Sequence, residues 1–180
     1  MAKTIWSMDT AHSEVRFSIR HLMISRVTGS FQTFNVTFQT EGHDITTADV
    51  SFTAEVSSIS TNNEQRDAHL RSGDFFDAEN HPTMVFQSSG LKMVSEHEYE
   101  MTGTLTMRGI SQSITLSIEF GGIIKDPRGE TRAGFTIIGK VNRNDYGITF
   151  SRLSETGDKL LGEVVTITAN VEFLKTGEAV

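Results

Sequence analysis

E-Y-E-M-T-G-T-L-T-M-R, from Glu98 to Arg108, alternates without a fault. Tyr99, Met101, Gly103, Leu105 and Met107 fall on one face, and the opposite face is entirely polar. A period of two marks a strand with one side in a core and the other in water. Working outward, the pattern recurs. Val15, Phe17, Ile19 and His21 share a face from Ser13 to His21, and Val50, Phe52, Ala54 and Val56 share one from Asp49 to Ser57. Ile114, Leu116, Ile118 and Phe120 follow from Ser113 to Gly121; Phe135, Ile137, Gly139 and Val141 follow from Ala133 to Val141. A last run carries Val165, Ile167, Ala169, Val171 and Phe173. Two less regular segments are Val27 to Thr40, with Phe31, Phe34, Val36 and Phe38, and Thr83 to Ser89, with Met84 and Phe86. These make eight predicted strands, with a short ninth at Ile5–Met8. Phe31 is out of phase with Phe34, so a bulge is expected near Gln32–Thr33.

Turn chemistry separates the runs: Glu41-Gly42-His43-Asp44, Ser89-Gly90, Arg108-Gly109, Asp126-Pro127-Arg128-Gly129 and Thr156-Gly157-Asp158. Short connections make neighbours antiparallel. Alternation stops between Ile59 and Pro82. There Asn62-Asn63 precedes Glu64-Gln65-Arg66-Asp67-Ala68-His69-Leu70-Arg71-Ser72-Gly73, which predicts one short helix at about residues 63–72 with an Asn cap and Gly73 near its end. Eight one-faced strands form either a sandwich or a barrel. Meander-like spacing and a single helical insertion favour an all-β, eight-stranded antiparallel barrel, in one domain spanning residues 1–180.

The chain's 180 residues contain no cysteine, which excludes disulfides, thiolate metal sites and a cysteine nucleophile. Sixteen Lys+Arg against 23 Asp+Glu leave a net charge of -7. That balance argues against a nucleic-acid partner and against coating an anionic membrane by charge alone. No apolar run approaches the length of a spanning helix, so no membrane insertion is expected. MAKTIWSMDT at the start lacks a secretory h-region, which predicts a cytoplasmic protein; a leader already removed would leave the same text and a periplasmic one.

The inward face mixes Phe and Met with small residues: Ala54, Gly103, Gly139 and Ala169. Small residues leave room for an elongated apolar ligand, yet they also interlock with large ones in a solid, tapering core. His21 is the polar member of that face, either at a cavity's polar end or as a satisfied core histidine. On the helix, Arg66 and His69 share a face, as do Asp67 and Arg71. That grouping suits either cations over a barrel mouth or a surface helix with an ordinary ion pair. The six histidines are scattered, with no HxH or HExxH spacing, so no metal is expected. The nucleotide glycine motifs and the G-x-S-x-G elbow are absent, so no cofactor is expected, and His12-Ser13 alone makes no triad.

Specific residues narrow this further. The chain reads D-T-A-H-S-E-V-R-F-S-I-R-H at Asp9–His21, G-S-F-Q-T-F at Gly29–Phe34 and S-I-S-T-N-N-E-Q-R-D-A-H-L-R-S-G-D-F-F-D at Ser58–Asp77. H-P-T-M-V-F-Q-S follows at His81–Ser88, then G-T-L-T-M-R-G at Gly103–Gly109 and N-R-N-D-Y-G at Asn142–Gly147. Together these resemble the YceI-like family of lipocalin-like polyisoprenoid-binding proteins. The matching motif residues are His12, Ser13, Phe17, His21, Phe34, Arg66, Asp67, His69, Leu70, Phe75, Phe76 and Phe86.

The resemblance implies a barrel around an elongated apolar pocket, and a long amphiphile as ligand: an isoprenoid, a fatty acid or a fatty amide. It implies a binding or carrier role rather than catalysis, a homodimer, and for many members export to the periplasm. Periodicity and resemblance together nominate a cavity wall of Val15, Phe17, Ile19, Phe34, Val36, Phe52, Ala54, Phe86, Met101, Gly103, Leu105, Leu116, Ile118, Phe135, Ile137, Ile167 and Ala169. His21, Arg66, His69, Phe75 and Phe76 are the candidates for the mouth, with Phe75 and Phe76 placed to plug or gate it. Two rival readings are a lipid-modifying enzyme in the same cavity, with His21 or His69 as acid–base group, and an interaction module with a filled core.

Overall fold

The alternating runs pair edge to edge, and the last returns to the first. In the computed structural model, residues 2–22, 24–151 and 160–179 are described. β1 (Lys3–Met8) and β2 (Glu14–His21) form one interrupted stave, and β3 (Ser25–Phe31) and β4 (Phe34–Glu41) form the next. β5 (Asp44–Glu55) continues past a 3-10 turn into the two-residue β6 (Ile59–Ser60). The single α-helix among the described residues, α1 (Glu64–Arg71), comes next. The remaining staves are β7 (Thr83–Ser95), β8 (Glu98–Met107), β9 (Ile110–Lys125), β10 (Thr131–Asn142) and β11 (Leu161–Ala179).

Every pairing is antiparallel, and the sheet closes because β11 pairs twice. Its first half lies on β2 (Leu161 opposite His21), and its second half lies on β1 (Phe173 opposite Met8). The result is an eight-stave barrel with one short helix. Pairing of the last stave with the first removes the free edge that each would otherwise present. The alternation of β8 is kept, with Tyr99, Met101, Gly103, Leu105 and Met107 all buried.

Three expectations change in detail. Gln32–Thr33 is not a bulge within one strand but a break between β3 and β4. There the Gln32 N–H donates to the Ser58 carbonyl (3.1 Å) and the Thr33 N–H to the Ser58 hydroxyl oxygen (3.0 Å). The break lets Phe31 and Val36 line one interior although they are out of phase. Ser89-Gly90 is not a turn. β7 passes through it with a register shift against β8, and the true turn is Glu96–His97. Ile5–Met8 is a strand, as part of β1, but it forms the first half of the first stave rather than a ninth stave. Arg108-Gly109 does turn the chain: both residues have positive φ (52° and 73°), as a two-residue hairpin requires. Thr156-Gly157-Asp158 lies outside the described residues.

The Asp9–His12 motif serves the interruption of the first stave. Asp9 caps the 3-10 turn by accepting from the Ala11 N–H (3.1 Å), and Arg132 on β10 donates to it (2.8 Å). Arg132 also holds Asp126 at 2.8 Å, so it ties the end of β1 to the β9–β10 hairpin. The ligating atoms of Asp9, His12 and Glu172 lie within 4.8 Å of one another. That cluster already holds a cation, with Arg132 at 2.8 Å from Asp9 and 3.8 Å from Glu172.

Candidate functional site

The two ends of the barrel interior differ. One is filled by aromatic rings. Phe38 meets Trp6, Phe135 and Phe173 at centroid distances of 5.7, 5.3 and 4.9 Å, and Phe120 stacks on Phe135 at 5.1 Å. The buried Trp6 indole N–H donates to Thr40 Oγ1 (3.1 Å), which satisfies its polar edge. The other end encloses a cavity of about 530 Å³, within the range of small-ligand sites.

Twelve of the nominated wall residues line it. They are Val15, Phe17 and Ile19 from β2, Val36 from β4, Phe52 from β5, Phe86 from β7, and Met101 and Leu105 from β8. Leu116, Ile137, Ile167 and Ala169 complete them, from β9, β10 and β11. Five nominated residues do not line it: Phe34, Ala54, Gly103, Ile118 and Phe135. Ala54 is wholly enclosed. Phe34 packs on Phe52 at 6.2 Å. Gly103 does not open space, because the Phe86 ring lies across it. Ile118 is buried opposite Tyr99 and Ile137, and Phe135 belongs to the aromatic plug. Gly139 likewise receives the end of Leu116.

At the mouth, all five nominated residues line the cavity: His21, Arg66, His69, Phe75 and Phe76. A buried hub positions Arg66. Asn63 caps α1 by accepting from the Arg66 N–H (3.0 Å). Asp67 turns inward, where Oδ1 accepts from the Thr61 N–H (2.8 Å) and hydroxyl (2.6 Å). Thr61 in turn accepts from Arg66, Nε to Oγ1 at 2.7 Å and Nη2 to the carbonyl at 2.8 Å. Arg71 therefore pairs with Glu64 (3.2 Å), not with Asp67. The helix ends at Ser72, whose hydroxyl donates to the His69 carbonyl (2.6 Å); Gly73 has no left-handed role.

His69 Nε2 lies 2.9 Å from Asp74, and its ring stands edge-on to Phe75 (5.0 Å) and Phe150 (4.9 Å). The histidine thus orders two rings that face the cavity. Phe76 meets Phe31 edge-on at 5.9 Å.

Arg143 lies outside the nominated set. It lines the cavity and is only 4% exposed. It donates to the carbonyls of Gly162, Ile148 and Phe150, each at 2.8 Å. Burial pulls its pKa below the ordinary arginine value, and Glu163 partly opposes this. Its only sequence signal is the N-R-N-D-Y-G motif, since an arginine after an apolar strand reads as surface. Nearby Tyr146 is 1% exposed, and its hydroxyl lacks a hydrogen-bond partner among the described residues. Burial and Asp145 push its pKa up to about 12. The site is therefore a deep apolar chamber with Arg66, His21 and His69 toward its mouth and the buried Arg143 in its wall.

The comparisons agree with this geometry. A family model described as the YceI-like domain matches residues 6–173. A UPF0312 protein of Staphylococcus epidermidis is 39% identical over 171 residues, 94% of this chain and 97% of that protein. The crystal structure of a YceI protein from Campylobacter jejuni superposes with a TM-score of 0.76 at 30% identity, covering 88% of this chain and 90% of that one. A polyisoprenoid binding domain from Saccharophagus degradans, implicated in plant cell wall breakdown, superposes with a TM-score of 0.66 over 95% of this chain and 98% of that one. Its identity is 14%, so that likeness speaks for the fold alone. By the reach of the family match and the near-complete alignment with its relatives, the chain belongs to the YceI-like family.

Proposed function

We propose that this protein binds and carries one long apolar amphiphile, a polyisoprenoid or a fatty acid or amide, with its chain in the barrel and its head at the mouth. The carrying observation is the cavity of about 530 Å³, walled by side chains such as Phe17, Phe52, Met101, Leu116 and Ile167, with the cationic Arg66 and Arg143 also in its lining. Burying a chain contributes about 0.8 kcal/mol per methylene, so a dozen give a gross gain of about 10 kcal/mol. Loss of ligand freedom offsets about 4 kcal/mol or more of it. The net leaves a ligand that stays bound in water but can be handed on. A Saccharophagus protein of the same fold is described as a polyisoprenoid binding domain, which makes a polyisoprenol one of the probes to try.

The test is native mass spectrometry of the purified protein, followed by titration with a polyisoprenol and with a fluorescent fatty acid. A co-purifying lipid, or saturable one-to-one binding of either probe, is the expected result. Absence of all three overturns the reading. Lipid recovered unaltered after long incubation separates a carrier from an enzyme acting in the same chamber.

A further inference from the structure

The hairpin between β2 and β3 forms part of the cavity rim. His21, at its base, is paired with Leu161, and both residues line the cavity. The Leu22 N–H donates to the Leu160 carbonyl (2.7 Å), which seats the hairpin on that rim. Its end is apolar where a turn is normally polar. Ile24 is 84% exposed and Leu22 43%, with Val164 49% exposed on the adjacent strand. Leu22 also holds φ at 55°, a conformation that glycine or asparagine fills more cheaply.

Directly below this tip, Arg20 stands opposite Arg26 in the β2–β3 register, and both are exposed. Like charges placed opposite each other destabilise a hairpin. Neither arginine meets a carboxylate among the described residues; Arg26 reaches only the Ser18 hydroxyl (3.3 Å). This cationic pair belongs to a chain whose net charge is -7. Exposed apolar side chains above arginines that meet no carboxylate among the described residues match the layering of a membrane surface, with phosphates outside and acyl chains within.

We propose that this hairpin docks the cavity mouth onto an anionic phospholipid surface, with Leu22 and Ile24 entering the headgroup layer and Arg20 and Arg26 meeting phosphates. The inference rests on the carrier reading and deepens it. An amphiphile that crosses open water exposes its chain, whereas a mouth pressed to the bilayer shortens that crossing. The net charge of -7 keeps the contact reversible.

The test uses the full chain in flotation assays with vesicles of phosphatidylcholine, alone or mixed with phosphatidylglycerol. Binding to the anionic vesicles that weakens as salt is raised is expected. Ile24→Glu, and Arg20→Ser with Arg26→Ser, each weaken it by on the order of tenfold. Lys125→Ser with Arg128→Ser, an equal charge loss on the hairpin at the plugged end, leaves it unchanged. Thermal unfolding confirms that each variant folds. Wild-type protein that ignores both vesicles, or hairpin variants that float like wild type, overturns the proposal. So does a vesicle-free dimer that Ile24→Glu dissociates, because a second copy would then cover the tip. Lipid binding measured without vesicles separates the two claims. Absence of a co-purifying lipid and of binding to both probes, with flotation intact, refutes the carrier and keeps the docking surface; the reverse refutes the docking surface alone.

Discussion

Gly103 and Gly139 both face inward, yet they do different things. A Cβ at Gly103 would meet the Phe86 ring and stand 2.5 Å from the Gln87 carbonyl oxygen, which is backbone and cannot step aside. Gly103→Ala is expected to cost about 1–3 kcal/mol in denaturant unfolding. At Gly139 the obstacle is only the end of Leu116, which lines the cavity. Gly139→Ala should therefore cost less stability and more affinity, as Leu116 swings into the chamber. Equal losses of stability in the two variants would contradict this. A second residue-scale effect concerns pH. Hydrogen bonds from His12 and Arg132 lower the Asp9 pKa from 3.8 to about 2. Its folded pKa is depressed, so its contribution is whole above about pH 4 and disappears as pH falls toward 2. Asp9 conversely raises the His12 pKa above 6.5, so that contribution is present below pH 6.5 and is lost as pH rises through the raised value. Urea midpoints measured against pH should show Asp9→Asn flattening the acid limb and His12→Asn removing the slope above pH 6.5.

At the scale of elements, α1 is held by its ends and by one buried carboxylate rather than by an apolar stripe. Asp67 is its one buried residue, and Thr61 supplies both of that residue's donors. Thr61→Val removes the hydroxyl that donates a hydrogen bond to Asp67 and accepts one from the Arg66 Nε–H. A loss of about 1–3 kcal/mol is expected, with weaker probe binding because Arg66 loses its Nε anchor. Asn63→Ala removes only the cap, for about 1 kcal/mol. Comparing the two by thermal unfolding and probe titration separates mouth geometry from helix stability. If affinity falls equally in both, the hub does not position the arginine.

For the whole molecule, the division of the barrel into a filled half and a hollow half decides what it can hold. Ala169 is the small residue on β11 that does line the cavity. Ala169→Phe should abolish binding of the amphiphile while stability holds or rises by about 0.5–2 kcal/mol, as cavity-filling changes do. Calorimetric or fluorescence titration beside thermal unfolding checks both halves of that statement. Retained binding would mean that the chain lies elsewhere.

What the sequence determined by itself was everything that depends on local period and local chemistry. Eight staves, inward faces such as that of β8, the Asn-capped helix and the turn at Arg108-Gly109 all follow from pleat, propensity and cap, which neighbours in the chain impose on one another. Tertiary structure alone decided what meets across the interior. Periodicity marks Phe135 and Phe86 alike as inward, but only barrel closure puts Phe135 into an aromatic plug and leaves Phe86 beside a void. The same closure turned Gly103 into a seat for a ring and turned Ser89-Gly90 from a turn into a register shift. It also carried Arg143, whose only mark in the sequence is the N-R-N-D-Y-G motif, into the cavity wall, because its carbonyl acceptors join the nearby loop at Ile148 and Phe150 to Gly162 on β11, which pairing lays beside β10.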